Sequence, residues 1–90
     1  MKKVELNESL SRVQAELKKI DRVDDSSREL LEKLDGDIHR VLGATGEVPR
    51  EHQEALVETL RKSVDRFEAS HPTLTLLMNR LTKALSDMGI

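Results

Sequence analysis

No cysteine occurs in the sequence, so disulfides, thiol catalysis and cysteine-ligated zinc are all excluded. Tryptophan and tyrosine are absent too, and Phe67 is the single aromatic residue. The core must therefore be built from Leu, Val, Ile and Met. Long apolar runs are also missing, since a stretch such as Leu76 to Met78 is far too short to cross a bilayer. Lys2 and Lys3 would suit the start of a signal peptide, but Glu5, Asn7, Glu8, Ser9 and Ser11 occupy the place of the apolar run that must follow. These absences lead us to expect a cytoplasmic protein with no membrane partner.

An excess of one charge is lacking as well. The 15 basic and 17 acidic side chains leave a net charge of −2. They divide evenly, nine and ten over residues 1–42 and six and seven over residues 43–90. Nucleic-acid binders draw much of their affinity from Lys and Arg contacts to phosphate and so show a basic face. The densest basic cluster here is Lys18, Lys19 and Arg22, with Glu16 and Asp21 interleaved, which reads as a solvated helix face. Nucleic acid is therefore not expected as a partner. The alternative, a nucleoid- or DNA-associated protein, would have to combine Lys18, Lys19 and Arg22 with Arg61, Lys62 and Arg66.

What the chain does have is helical periodicity. It is 37% apolar and 36% charged, a mixture that with this spacing reads as a helical bundle or coiled coil. From Arg50 onward, Val57, Leu60, Val64, Phe67, His71, Leu74, Met78, Leu81, Leu85 and Met88 recur at spacings of three and four. That is the seam of helices packed lengthwise on others. Only His71 makes the line polar, and Pro72 follows it. Proline lacks a backbone donor, and the residue before it resists helical geometry. We therefore predict a break with a sharp bend, with Ser70 capping the helix beyond.

Earlier in the chain, Leu6, Leu10, Val13, Leu17 and Ile20 make a narrow stripe on a first helix, about 5–21. Glu5 and Glu8 near its start and Lys18 and Lys19 near its end suit the helix dipole. Ser26 and Glu29 have the capping-box spacing, so a second helix, about 26–42, is predicted to start there. It carries Leu30, Leu31, Leu34, Ile38, Val41 and Leu42, and Gly43 stands where a left-handed cap is wanted. Gly36, inside that helix, reads as a point where another helix comes close. Gly43 to Pro49 is a loop, and Pro49 opens a third helix, about 49–69. A fourth follows at about 72–88. The fold class expected is all-α, one domain over residues 1–90: an antiparallel helical hairpin packed on a long C-terminal segment bent at Pro72. A domain of this size buries only about 60–70% of the surface its unfolded chain exposes, so association would stabilise it.

The last predicted helix differs from the rest. From Thr73 to Met88 its only charges are Arg80, Lys83 and Asp87. Leu74, Met78, Leu81, Leu85 and Met88 fill the seam and Leu77 widens it, whereas Leu76 points to nearly the opposite side. A helix apolar on two sides is usually sandwiched, and in so short a chain another copy is the natural second partner. Thr73, Thr75, Asn79 and Thr82 read as a neutral polar strip beside Leu76, and interfaces are depleted in charge. We expect an interaction face of Thr73, Leu76, Leu77, Asn79, Arg80 and Lys83, serving a homodimer and a further protein partner.

Chemistry is poorly provided for. Asp35, Asp37 and His39 would be an acid/base group only inside a concave, water-excluding site, which a narrow aliphatic bundle does not offer. His39 and His52 read as exposed surface histidines. We expect no enzyme and no cofactor. Glu68 and His71 have the Glu-x-x-His spacing of one half of a di-metal bundle site, the basis of a metal-binding alternative. A complete site needs a second such pair and two more carboxylates, and no Glu lies on the apolar lines of the first two helices. Gly43-Ala-Thr-Gly46 lacks the Lys-Ser/Thr ending and the preceding strand of a phosphate loop.

The run Arg66-Phe-Glu-Ala-Ser-His-Pro-Thr-Leu-Thr, with Asn79, Arg80, Leu81, Ala84, Leu85 and the ending Met88-Gly-Ile, resembles the C-terminal signature of domain of unknown function 4404, a family of short bacterial proteins. Over residues 1–60 the likeness is one of pattern: charged heptads, a capped second helix, then a loop. The resemblance implies a small all-helical cytoplasmic bacterial protein with no established activity.

Overall fold

The four periodic segments become four helices in a computed structural model, which describes residues 3–44 and 48–87. They are α1 (Lys3–Leu17), α2 (Asp25–Leu42), α3 (Arg50–Phe67) and α4 (Pro72–Asp87). No strand occurs among the described residues. Met88, the last seam position predicted, and Thr45 and Gly46 of the loop lie outside them.

Each helix buries the stripe its spacing defines. Leu6, Leu10 and Val13 of α1, Leu34, Ile38 and Val41 of α2, Leu56 and Leu60 of α3, and Met78, Leu81 and Leu85 of α4 are all fully buried. Phe67 closes one end of this core, with the edge of the His71 ring against it at a centroid distance of 5.5 Å. Leu17, Ile20, Val23, Val64 and Leu77 pack on the core from partly open positions.

Every consecutive pair of helices is antiparallel. Gln14 of α1 meets Asp35 and His39 of α2, while Ser26 and Asp37 of α2 meet Arg66 and Thr59 of α3. Ser86, near the end of α4, shares a groove with Glu54 and Val57 of α3, and Glu16 to Arg22 share a cleft with His71 to Leu74. The ring closes because α1 packs on α4, whereas the backbones of the diagonal pairs α1/α3 and α2/α4 nowhere come within 8 Å, Cα to Cα, among the described residues. α1/α2 makes the fewest close backbone approaches of the four neighbouring pairs.

The break predicted at Pro72 is a full reversal of the chain. Helices of 18 and 16 residues laid end to end would run about 50 Å at ~1.5 Å per residue, but the molecule measures 36 × 19 × 19 Å. Pro72 is the cause. It cannot donate a helical bond, so it takes the first position of α4, and the carbonyl of His71 accepts the helix's first bond from Thr75 N–H at 3.1 Å. His71, not Ser70, thus holds the cap position. The Ser70 hydroxyl instead lies 2.8 Å from Nδ1 of His71.

Three other local predictions shift. The Ser26–Glu29 capping box is replaced by Asp24, whose extended backbone (φ −69°, ψ 169°) aims its Oδ1 at the Ser27 N–H, 2.9 Å away. A carboxylate also suits the positive end of the helix dipole better than a hydroxyl does. Ser26 is left to accept a hydrogen bond from Arg66 Nη2 at 2.7 Å. Gly43 has φ −78°, a right-handed conformation, and donates its N–H to the His39 carbonyl at 2.9 Å. Gly36 admits no close neighbour, since a Cβ there would meet nothing within 4 Å. Its cost to the helix is therefore uncompensated, and Gly36→Ala should raise the unfolding free energy by up to about 1 kcal/mol in denaturant titrations.

The Ser27 hydroxyl, and next the Ser27 N–H, hold the Asp24 carboxyl below its ordinary value of 3.8, with the Arg66 charge adding to the effect against a partial desolvation. A carboxylate whose pKa is depressed on folding stabilises above its unfolded pKa, and that contribution is lost as pH falls through the folded one. Asp24→Ala should therefore melt below wild type near neutral pH. The gap should close as the pH falls from 3.8 through the lower folded value; thermal melts over the acid range measure it.

Candidate functional site

Five of the six residues expected to form an interaction face do lie together on the outside of α4. Thr73, Leu76, Asn79, Arg80 and Lys83 follow one another at helical spacing and all are exposed. Leu76 is 52% exposed, one of two large apolar side chains so placed among the described residues; the other is Val4. Arg80 and Lys83 stand one and two turns beyond it on the same side, and neither pairs with an acid among the described residues. Leu77 is the exception, half-buried and packed on the core.

The neutral strip beside Leu76 is not one surface. Thr75 is buried, with its hydroxyl donating to the Pro72 carbonyl at 3.0 Å, and half-buried Thr82 donates to the Met78 carbonyl at 2.9 Å. A threonine hydroxyl satisfied by its own helix can face inward at little cost. The spacing 75, 78, 82, 85 carried that signal, since it threads both threonines through the line of Met78 and Leu85.

A second surface escaped the sequence reading. Between the C-terminal end of α1 and the first half of α2 runs a groove of about 520 Å³, floored by Leu17, Ile20, Val23 and Leu31. Its walls carry Asp21, Glu32 and Asp35 together with Lys18, Arg28 and His39. It exists because α1 ends at Leu17 and not near residue 21. The backbone tightens there through the Ile20 N–H to Leu17 carbonyl bond of 3.2 Å, and the chain then runs without helix to Asp25, so that Ile20 and Val23 line the groove from the connection. At the far side of the groove, His39 Nδ1 donates to the Asp35 carbonyl at 2.8 Å and lies 3.4 Å from the Asp35 carboxylate. Gln14 Nε2 reaches Asp35 Oδ1 at 3.4 Å.

The acid/base grouping of Asp35, Asp37 and His39 is thus divided between two faces of α2. Asp37 is buried against α3, where its Oδ2 accepts the Thr59 hydroxyl at 2.7 Å and its Oδ1 lies 3.3 Å from Arg40 Nη1. His39 is exposed as expected. His52 is half-buried, its Nδ1 sealed from solvent without a hydrogen-bond partner among the described residues.

The other candidates are also dispersed. Glu68 caps the end of α3 and His71 lies beyond the turn, so the Glu-x-x-His spacing does not run along a helix. Among the described residues no group of three or more His, Asp or Glu side chains is placed to hold a metal ion. Of the basic residues of the DNA reading, Lys18, Lys19 and Arg22 lie in the connection beyond α1, and Arg61, Lys62 and Arg66 lie on α3. Lys19 and Lys62 are engaged by Glu16 and Glu58 at 3.0 and 3.2 Å. No helix among the described residues is long and apolar enough to cross a membrane.

Comparison with known families matches residues 6–90 to the family described as Domain of unknown function (DUF4404). The likeness thus extends well beyond the C-terminal third that carries the recognisable residues. No curated protein and no solved structure matches.

Proposed function

Because the chain belongs to the family of domain of unknown function 4404, a membership that brings no activity with it, we propose its function from its surfaces: a non-enzymatic helical module that associates with further copies of itself through the outer face of α4. The observation that carries this reading is Leu76. Single exposed leucines are common on protein surfaces, but this one sits mid-helix, on the face that bears Arg80 and Lys83 without acidic partners among the described residues. The flanking side chains, Thr73 and Asn79, are small and neutral. That combination of an apolar anchor, neutral neighbours and cations at one margin resembles the core and rim of a protein interface.

The one acid/base grouping the sequence offered is divided, with Asp37 buried against Thr59 and Asp35 beside His39 on another face of α2, and the non-enzymatic reading rests on that. The pairing of Lys19 with Glu16 and of Lys62 with Glu58, in a chain with no excess of positive charge, weighs against a nucleic-acid role.

Sedimentation velocity over a wide concentration range tests the proposal. Wild type should show a concentration-dependent rise in sedimentation coefficient, and Leu76→Glu should remain monomeric with an unchanged helical circular dichroism spectrum. Wild type that stays monomeric at every concentration would rule the reading out.

A further inference from the structure

We propose that the α1/α2 groove is the receiving surface for the outer face of α4 of a second copy, so that the chains associate head to tail. This rests on the self-association read above and names the surface on which α4 docks. Two faces of α4 set against each other would oppose one leucine to one leucine, among Arg80 and Lys83 from both copies. The groove offers far more. Leu17, Ile20 and Val23 are half-open to solvent and Leu31 lies beneath them, four apolar side chains in a trough of about 520 Å³.

Charge points the same way. The groove carries Asp21, Glu32 and Asp35 against Lys18 and Arg28, an excess of one negative charge with His39 neutral. The outer face of α4 carries Arg80 and Lys83 against Asp87, an excess of one positive. With Leu76 as the anchor, Arg80 and Lys83 lie four and seven residues further along the same face, where they reach the acids of the groove wall. This is the helix-in-groove mode, in which one face of a helix fills an apolar trough and charges at the margin set its direction. The α1/α2 pair also makes the fewest close backbone approaches in the ring, and a helix seated in the groove between them covers the apolar side chains that line it. Because anchor and groove are different surfaces, a joined pair still has one free anchor and one free groove, and assembly continues beyond two copies.

Complementation between two disabled variants is the decisive experiment. Leu76→Glu lacks the anchor and keeps the groove. Glu32→Lys/Asp35→Lys keeps the anchor and reverses the groove charge without touching the core, and Val23→Lys blocks the floor as an independent groove variant. In sedimentation velocity each variant alone should associate at least about tenfold more weakly than wild type, a loss of ~1.4 kcal/mol. Mixed at equal concentration, Leu76→Glu and either groove variant should form a species of twice the monomer mass that grows no further, whereas wild type goes on to larger species. If both groove variants associate like wild type while Leu76→Glu does not, α4 still mediates association but the groove is not its receptor. If the mixtures stay monomeric, head-to-tail docking is overturned. Monomeric wild type overturns the self-association reading itself and leaves the groove to some other occupant.

Discussion

Replacing Leu60 by alanine is expected to lower the unfolding free energy by about 2–5 kcal/mol. Leu60 is fully buried on α3, the helix that touches both α2 and α4. Shortening it forfeits the transfer energy of its methyl groups and leaves a cavity that flanking helices close only in part. Domains have in total only about 5–15 kcal/mol of stability, so the variant should lie near the edge of folding. A loss of 1 kcal/mol shifts the melting temperature of a chain this size by roughly 4–8 °C, so calorimetry should show a fall of at least about 8 °C. Leu76→Ala removes the same atoms from a side chain that is 52% exposed, and its effect should stay within about 0.5 kcal/mol. The contrast tests the burial assignment directly: a cost at Leu60 as small as that at Leu76 would mean that Leu60 is not on the face of α3 turned to the core.

Thr59→Val should cost about 1–3 kcal/mol, although it changes the side-chain volume very little. The hydroxyl has one proton, and two acceptors lie in reach: Asp37 Oδ2 at 2.7 Å and the Ala55 carbonyl at 3.0 Å. The charged and closer carboxylate takes it. Asp37 is 2% exposed, and without Thr59 one of its oxygens is buried with no donor. Arg40 does not replace the loss, because it approaches the other oxygen at 3.3 Å from a side chain that is 57% exposed, where solvent screens the pair. A double-mutant cycle with Asp37→Ala isolates the link. The combined variant should be less destabilised than the sum of the two single ones, by at least about 0.5 kcal/mol. Additive losses would show that Asp37 and Thr59 are satisfied independently. The pair joins residues 22 positions apart and sets which faces of α2 and α3 meet.

Much of this architecture was legible in residue spacing. The stripe of Leu6, Leu10 and Val13, and the seam from Val57 to Leu85, follow from a helical repeat of about 3.6 residues, a property of the backbone that holds wherever the helix is placed. Pro72 announced the break at residues 68–71 for the same reason, since the missing N–H is local. Caps were less legible. Asp24 and Ser26 lie two residues apart, both capable of capping, and the choice turned on Arg66, which engages Ser26 from another helix. Gly36 misled because a glycine within a helix signals close approach only when something approaches.

The site divides along the same line. That Leu76 lies off the seam follows from its position in the repeat, as does the common side of Arg80 and Lys83. That Thr75 faces inward, that Asp37 separates from Asp35 and His39, and that a groove opens over Leu17, Ile20 and Val23 do not. A periodic stripe specifies which face of a helix must leave water but not what covers it, because apolar burial is non-directional. The sequence by itself thus determined four amphipathic helices, an aliphatic core and the break at Pro72. Only the tertiary structure decided that α4 reverses to close the ring on α1, and that a trough lies between α1 and α2. Those outcomes depend on contacts between residues far apart in the chain, where the geometry of all four helices is settled together.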